Sequence, residues 1–267
     1  LKTGTDIQAA IACLTKGQLV AIPTETVYGL AANAFDADAV ARIYKAKNRP
    51  QFNPLIIHTN SLQRLQHWGL HLPEAMIKLA QHFSPGPLTY VIPKSNQIPD
   101  LVTAGTTAVA VRIPNHPLTL ELLSRLDFPL AAPSANPSGY VSPTSAVHVS
   151  NQLGDQVCYI LDGGECSVGV ESTIISFLED TPAILRFGGL SVEAIENIIG
   201  HVNLPMDGFV DNPVAPGQLA RHYATKHKLV IGNPTDYIQS HNPQRLGLIS
   251  FKTNYPSVPS TQQFVLS

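Results

Sequence analysis

Short apolar runs that break off at a proline constrain this chain most. Leu19-Val20-Ala21-Ile22 stops at Pro23, Leu88–Ile92 at Pro93, Ala108–Ile113 at Pro114 and Leu130–Ala132 at Pro133, while Pro54 opens Leu55-Ile56-Ile57-His58. Runs this short, bounded by turn formers, read as buried strands. Proline then fixes the backbone where the chain leaves the sheet. Further strands are expected at Val157–Leu161, Thr173–Phe177 and Ala183–Arg186.

Helical periodicity fills the gaps. Asp6 caps a helix through Leu14. Asp36 caps a second, with Val40, Ile43, Tyr44 and Lys47 at helical spacing. That helix ends near Asn48, because Pro50 disfavours the helical conformation of Arg49. Helices are also expected over Glu74–His82, Leu118–Leu126, Thr144–Asn151 and Ser191–Ile199. Strands mixed with helices, not strictly alternating, predict an α/β fold: a twisted open mixed sheet with flanking helices. After Gly200 the pattern changes. Residues 1–200 read as one domain and 201–228, with Pro205, Pro213 and Pro216, as a linker. Residues 229–267, with strands at Leu229–Gly232 and Leu246–Ser250, read as a short C-terminal α/β stub too small to bury a core alone.

Composition excludes several functions. The chain has 267 residues, 44% hydrophobic and only 13% charged, and its net charge is 17 − 19 = −2. Any cationic site must be local, so a broad nucleic-acid footprint is not expected. Cys13, Cys158 and Cys166 are odd in number and lack CxxC spacing. No disulfide is expected; the three read as small buried apolar residues in a reducing cytoplasm. No apolar run nears the ~18 residues of a membrane span, and no secretory signal is visible. Neither a metal-binding His or Cys spacing nor a Walker or GxGxxG loop is present.

Three polar clusters remain. Pro23-Thr24-Glu25-Thr26-Val27-Tyr28-Gly29-Leu30 follows a strand, where open α/β sheets place ligands. Lys47 and Arg49 straddle a helix end and can face one anion, although cations there also complement the helix dipole. Ser134 and Asn136, bracketed by Pro133 and Pro137, can offer a hydroxyl and an amide to one ligand, or form an ordinary turn. Gly163-Gly164 and Gly169 can expose backbone amides to an anion. His58 and Arg112 end strands, and Arg221-His222-Tyr223 places a cation, an imidazole and a phenol in the linker.

These segments, with Asn53-Pro54, Pro85-Gly86-Pro87, Ala132-Pro133-Ser134-Ala135-Asn136 and Gly169-Val170-Glu171-Ser172-Thr173, resemble the YrdC-like family, and within it the longer threonylcarbamoyl-AMP synthase branch. The resemblance covers residues 5–225. It implies a YrdC-like sheet, a linker over the active site and the start of a small, incomplete Rossmann-like domain. It also implies a reaction: L-threonine, bicarbonate and ATP with Mg²⁺ give threonylcarbamoyl-adenylate and pyrophosphate. The product would pass to the tRNA threonylcarbamoyl transferase machinery, with at most weak direct tRNA binding. Carried over by position, Lys47 and Arg49 would be catalytic. Thr26, His58, Arg112, Ser134 and Ser172 would surround threonine. Arg49, Asn53, Asn136, Thr144 and Arg186 would hold ATP, with His222 or Tyr223 reaching from the linker. Two positions depart from the family pattern: Phe187 replaces a proline after Arg186, and Thr225 replaces one after Ala224. An RNA-binding module is the competing reading, disfavoured by the few cations. A carbamoyl transferase is a third, but its usual companion segments are not seen.

Overall fold

The computed structural model describes residues 2–205, 213–216 and 228–266. They fall into two compact units, Leu1–Ala224 and Thr225–Ser267.

The first unit is built on ten strands. These are β1 (Lys2–Gly4), β2 (Val20–Ile22), β3 (Gly29–Asn33), β4 (Ile56–His58), β5 (Leu88–Pro93), β6 (Ala108–Arg112), β7 (Leu130–Ala131), β8 (Tyr159–Leu161), β9 (Thr173–Ser176) and β10 (Ala183–Arg186). Their order in the sheet is β1-β8-β2-β3-β7-β4-β6-β5-β9-β10, with parallel and antiparallel neighbours. Among the described residues, seven helices flank it: α1 (Ile7–Thr15), α2 (Ala37–Lys47), α3 (Leu62–His67), α4 (Glu74–Phe83), α5 (Pro117–Ser124), α6 (Ala146–Leu153) and α7 (Val192–Ile199). The caps act as the sequence predicts. Asp6 accepts from the Gln8 and Ala9 amides, and Asp36 from those of Asp38 and Ala39. Asn48 ends α2 in the left-handed conformation, at φ 49°, which asparagine tolerates better than most residues.

Strand alternation sorts the core into two faces. Ala21, Leu30, Ile57, Tyr90, Val111 and Ile175 enter the main core with residues of α2, α4, α6 and α7. Their immediate neighbours turn the other way. At the β8-β2-β3-β7 end that second face is covered by Ile7, Ala10 and Leu14 of α1 and Leu122 and Leu123 of α5. Further along, Ile56, Val91, Ala108, Ala110 and Ile174 are covered instead by Ala215, fully buried in the segment 213–216. By the same parity His58, Thr89, Arg112 and Ser172 project on this second face.

The second unit holds α8 (Pro234–Ser240) and a parallel pair, β11 (Leu248–Ser250) with β12 (Gln263–Val265). The strand expected at Leu229–Gly232 does not form: Leu229 is 69% and Ile231 96% exposed, with no pairing strand among the described residues. No described helix is long and apolar enough to cross a membrane.

The cysteine expectation is also overturned. Cys13 and Cys158 form a disulfide. Local spacing could not show it, because β8 inserts between β1 and β2 and so carries Cys158 alongside α1. Cys166 is free and half-buried, its thiol pushed up to about 11 by burial.

Candidate functional site

A cavity of about 60 Å³ opens at the carboxyl ends of β4 and β6. A water needs ~10–15 Å³ on this measure, so the space admits several atoms in a row. His58 and Arg112 are register partners across β4 and β6. Both are buried, at 3% and 4% exposure. Arg112 donates to Thr26 Oγ1 at 2.9 Å and to Gly86 O at 3.2 Å, and its Nη2 pairs with Glu25 Oε1 at 2.7 Å. Burial, with the Arg112 charge adding to it, pushes the His58 imidazole down to about 3. It is therefore neutral near pH 7, with Nδ1 3.3 Å from Ile56 O.

The turn after β2 is stapled from several sides. Thr24 Oγ1 accepts from the Thr26 and Val27 amides. The Val168 and Gly169 amides donate to the carbonyls of Glu25 and Thr26 at 2.8 and 3.1 Å. Tyr28 Oη donates to Gly164 O at 2.7 Å and accepts from the Gly163 amide at 3.1 Å. The first polar cluster thus holds the glycine-rich loop by its backbone.

Arg49 lines another wall. It donates to Asn53 Oδ1 at 2.7 Å, Pro54 O at 2.8 Å and Asn53 O at 3.1 Å. All three acceptors are neutral. Arg186 donates to Ser172 O at 2.9 Å and Ser172 Oγ at 3.2 Å, and Ser172 Oγ lies 2.7 Å from Thr89 Oγ1. Burial lowers both guanidiniums to about 10, so both remain cationic at neutral pH. Gly188 is required here: a Cβ would meet Glu171 O at 2.3 Å and the Ser172 carbonyl carbon at 2.4 Å.

Of the residues expected from sequence, Thr26, Arg49, Asn53, His58, Arg112, Ser134, Ser172 and Arg186 line this cavity. Three do not. Lys47 is 1% exposed, its ammonium donating to Ser134 O and Asn136 O from behind the loop. Asn136 is buried, its amide donating to Tyr140 O at 2.7 Å. Thr144 pairs with His148 at 3.2 Å. His222 and Tyr223 lie outside the described residues. Sequence reasoning gave no role to Glu25, Glu171 or Pro216. The last two line the cavity, and Glu171 accepts from Ser142 Oγ. Glu25 was legible as a carboxylate within the first polar cluster, but only the fold brings Arg112 to it.

Comparison with known proteins is consistent across the chain. Residues 12–188 match the Sua5/YciO/YrdC family model, described as "Telomere recombination". Residues 190–266 match the model for the C-terminal domain of threonylcarbamoyl-AMP synthase. A threonylcarbamoyl-AMP synthase of Pyrococcus abyssi is 46% identical over 237 residues, 87% of this chain and 70% of the relative. One from Bacillus subtilis is 45% identical over 233 residues, 85% of this chain and 67% of the relative. The crystal structure of P. abyssi Sua5 complexed with L-threonine superposes with a TM-score of 0.89 at 39% identity, covering 100% of this chain and 83% of that one.

Proposed function

The chain belongs to the Sua5/YciO/YrdC family, and on that premise we propose that it makes threonylcarbamoyl-AMP from L-threonine, bicarbonate and ATP. The observation that carries the proposal is one cavity with two kinds of anion-binding wall. Arg112 and Thr26, beside a neutral His58, suit a carboxylate and a hydroxyl. Arg49 with Asn53, and Arg186, suit phosphate oxygens. The P. abyssi relative complexed with L-threonine supports L-threonine as a substrate.

The chemistry balances as follows. The threonine amine bonds to the carbon of bicarbonate, releasing water and giving the N-carboxylate. A carbamate oxygen then bonds to the α-phosphorus, and the bond to pyrophosphate breaks. Neutral His58 can hydrogen-bond the threonine hydroxyl without adding charge. Arg49 and Arg186 stabilise negative charge on the phosphates as the bond to pyrophosphate stretches. Holding the amino acid in the cavity, with the reacting phosphates at the arginines of its wall, supplies the alignment. Lys47 acts through the loop that it grips, holding Ser134 in place. The described residues contain no cluster of three metal-ligating side chains. Mg²⁺ would arrive with the ATP substrate, since it is commonly carried on phosphates. The product would feed threonylcarbamoyl transfer to tRNA.

Pyrophosphate release with threonine and bicarbonate each present or omitted tests the proposal. Release that requires both is expected. Release indifferent to threonine, or none with ATP and Mg²⁺ present, would sink it.

A further inference from the structure

Three arginines line the cavity, but the structure treats them differently. Arg49 meets only neutral oxygens, those of Asn53 and Pro54. Arg186 donates to the carbonyl and hydroxyl of Ser172. Arg112 has a carboxylate at ion-pair distance, Glu25 at 2.7 Å, in a pair whose side chains are 5% and 9% exposed. Glu25 is fixed in turn: its other oxygen accepts the Asn115 amide at 3.0 Å, and its main-chain oxygen accepts the Val168 amide. It does not line the cavity, so it meets a ligand only through Arg112.

We infer that Glu25 is a positioning residue that divides the labour among the cavity's arginines: by neutralising Arg112, it keeps polyphosphate off that guanidinium and reserves it for the single carboxylate of an amino acid. This rests on the amino-acid reading given above. The physical basis is the field of a buried pair. Two opposite charges at contact present little net charge to a third group. A triphosphate is drawn by net charge, so it prefers Arg49 and Arg186. An amino-acid carboxylate needs only one aligned N–H and the Thr26 hydroxyl beside it, which the pair still offers. Without the Glu25 charge, Arg112 would face the cavity uncompensated beside Arg49 and Arg186, with Glu171 as the carboxylate left on the wall. A polyanion could then settle across the three arginines and exclude the amino acid.

The test uses calorimetric titration of the full chain with L-threonine, with and without inorganic tripolyphosphate. In the unaltered protein, tripolyphosphate is expected to leave the threonine Kd unchanged within about twofold. Glu25→Gln keeps the length and removes the charge. In that variant the same tripolyphosphate concentration is expected to raise the apparent threonine Kd by about tenfold or more, the scale of one charged hydrogen bond. Glu25→Asp keeps the charge and is expected to retain the unaltered pattern. Variants are compared only when their near-ultraviolet circular dichroism matches the parent. A folded Glu25→Gln protein without competition overturns the inference, as does competition already present in the parent. If Glu25→Asp behaves like Glu25→Gln, length and not charge matters, and the inference fails. If neither variant folds, Glu25 is a folding residue and the inference also fails. A parent that binds no threonine removes the amino-acid reading itself, which separates that failure from this one.

Discussion

Lys47 offers a direct test of how a buried ammonium behaves in this fold. Its shaft is sealed at 1% exposure, and its nitrogen donates to two main-chain carbonyls, Ser134 O and Asn136 O. Lys47→Met keeps the length and removes the nitrogen. Hydrogen bonds from an ionised donor contribute about 1.5–3 kcal/mol each. Taking an ammonium out of water costs several kcal/mol. The effects oppose each other, so the variant should lie within about 2 kcal/mol of the parent at neutral pH. The pH dependence is sharper. Burial, with the Arg49 charge added to it, holds the Lys47 amine well below its ordinary 10.5. Between that depressed value and 10.5 the unfolded chain carries a proton that the folded chain lacks. Stability conferred by Lys47 therefore rises with pH in that window, by up to about 1.4 kcal/mol per unit. Relative to Lys47→Met, the parent should gain as pH rises through the alkaline range towards the unfolded value, and gain nothing above it. Urea unfolding followed by fluorescence reads this cleanly. The single tryptophan, Trp68, is 3% exposed in the core that also contains Tyr44 of α2, the helix that carries Lys47. A stability gap that stays flat over that range would refute the reasoning, because Lys47 would then have an ordinary proton affinity.

His58 gives the acid counterpart. Its folded value of about 3 lies below the ordinary 6.5, so the unfolded chain takes up the proton first as pH falls. His58→Gln should flatten the loss of stability between about pH 6.5 and pH 3 in the same urea assay; an unchanged acid limb would contradict it. The Cys13–Cys158 disulfide closes 145 residues of sequence separation, worth about 5 kcal/mol on a chain-entropy account. Cys13→Ser, or reduction of the parent, should lower the urea midpoint by a matching amount, and thiol titration should count one free thiol before reduction and three after.

The strands legible from sequence were those whose own residues favour burial. β1, Lys2-Thr3-Gly4, was not, because it is a largely exposed edge strand. Neither was β3, Gly29–Asn33, whose glycine and alanines become a strand only through pairing with β2 and β7. Leu229-Val230-Ile231 misled in the opposite sense: the run is apolar, but no neighbour pairs with it among the described residues. At the site, Arg49 and Asn53 are four residues apart, so their pairing was nearly visible. The direction of Lys47 was not, since its acceptors lie 87 and 89 residues further along. The sequence shows Arg112 only as a cation at a strand end. Its first partner is instead a carboxylate 87 positions earlier, which no local pattern announces.

Ala215 closes the sheet face formed by Ile56, Val91, Ala108, Ala110 and Ile174, while its neighbour Pro216 forms part of the cavity wall. Two consecutive residues, contributed after α7, thus serve as roof and doorpost. A shortened chain ending after α7 would bare an oily strip beside its own ligand. To stay soluble and selective, it would need polar replacements on that strip or a borrowed cover. Solvent protection of the strip and the shape of the binding space are therefore inherited together, so neither can drift without disturbing the other.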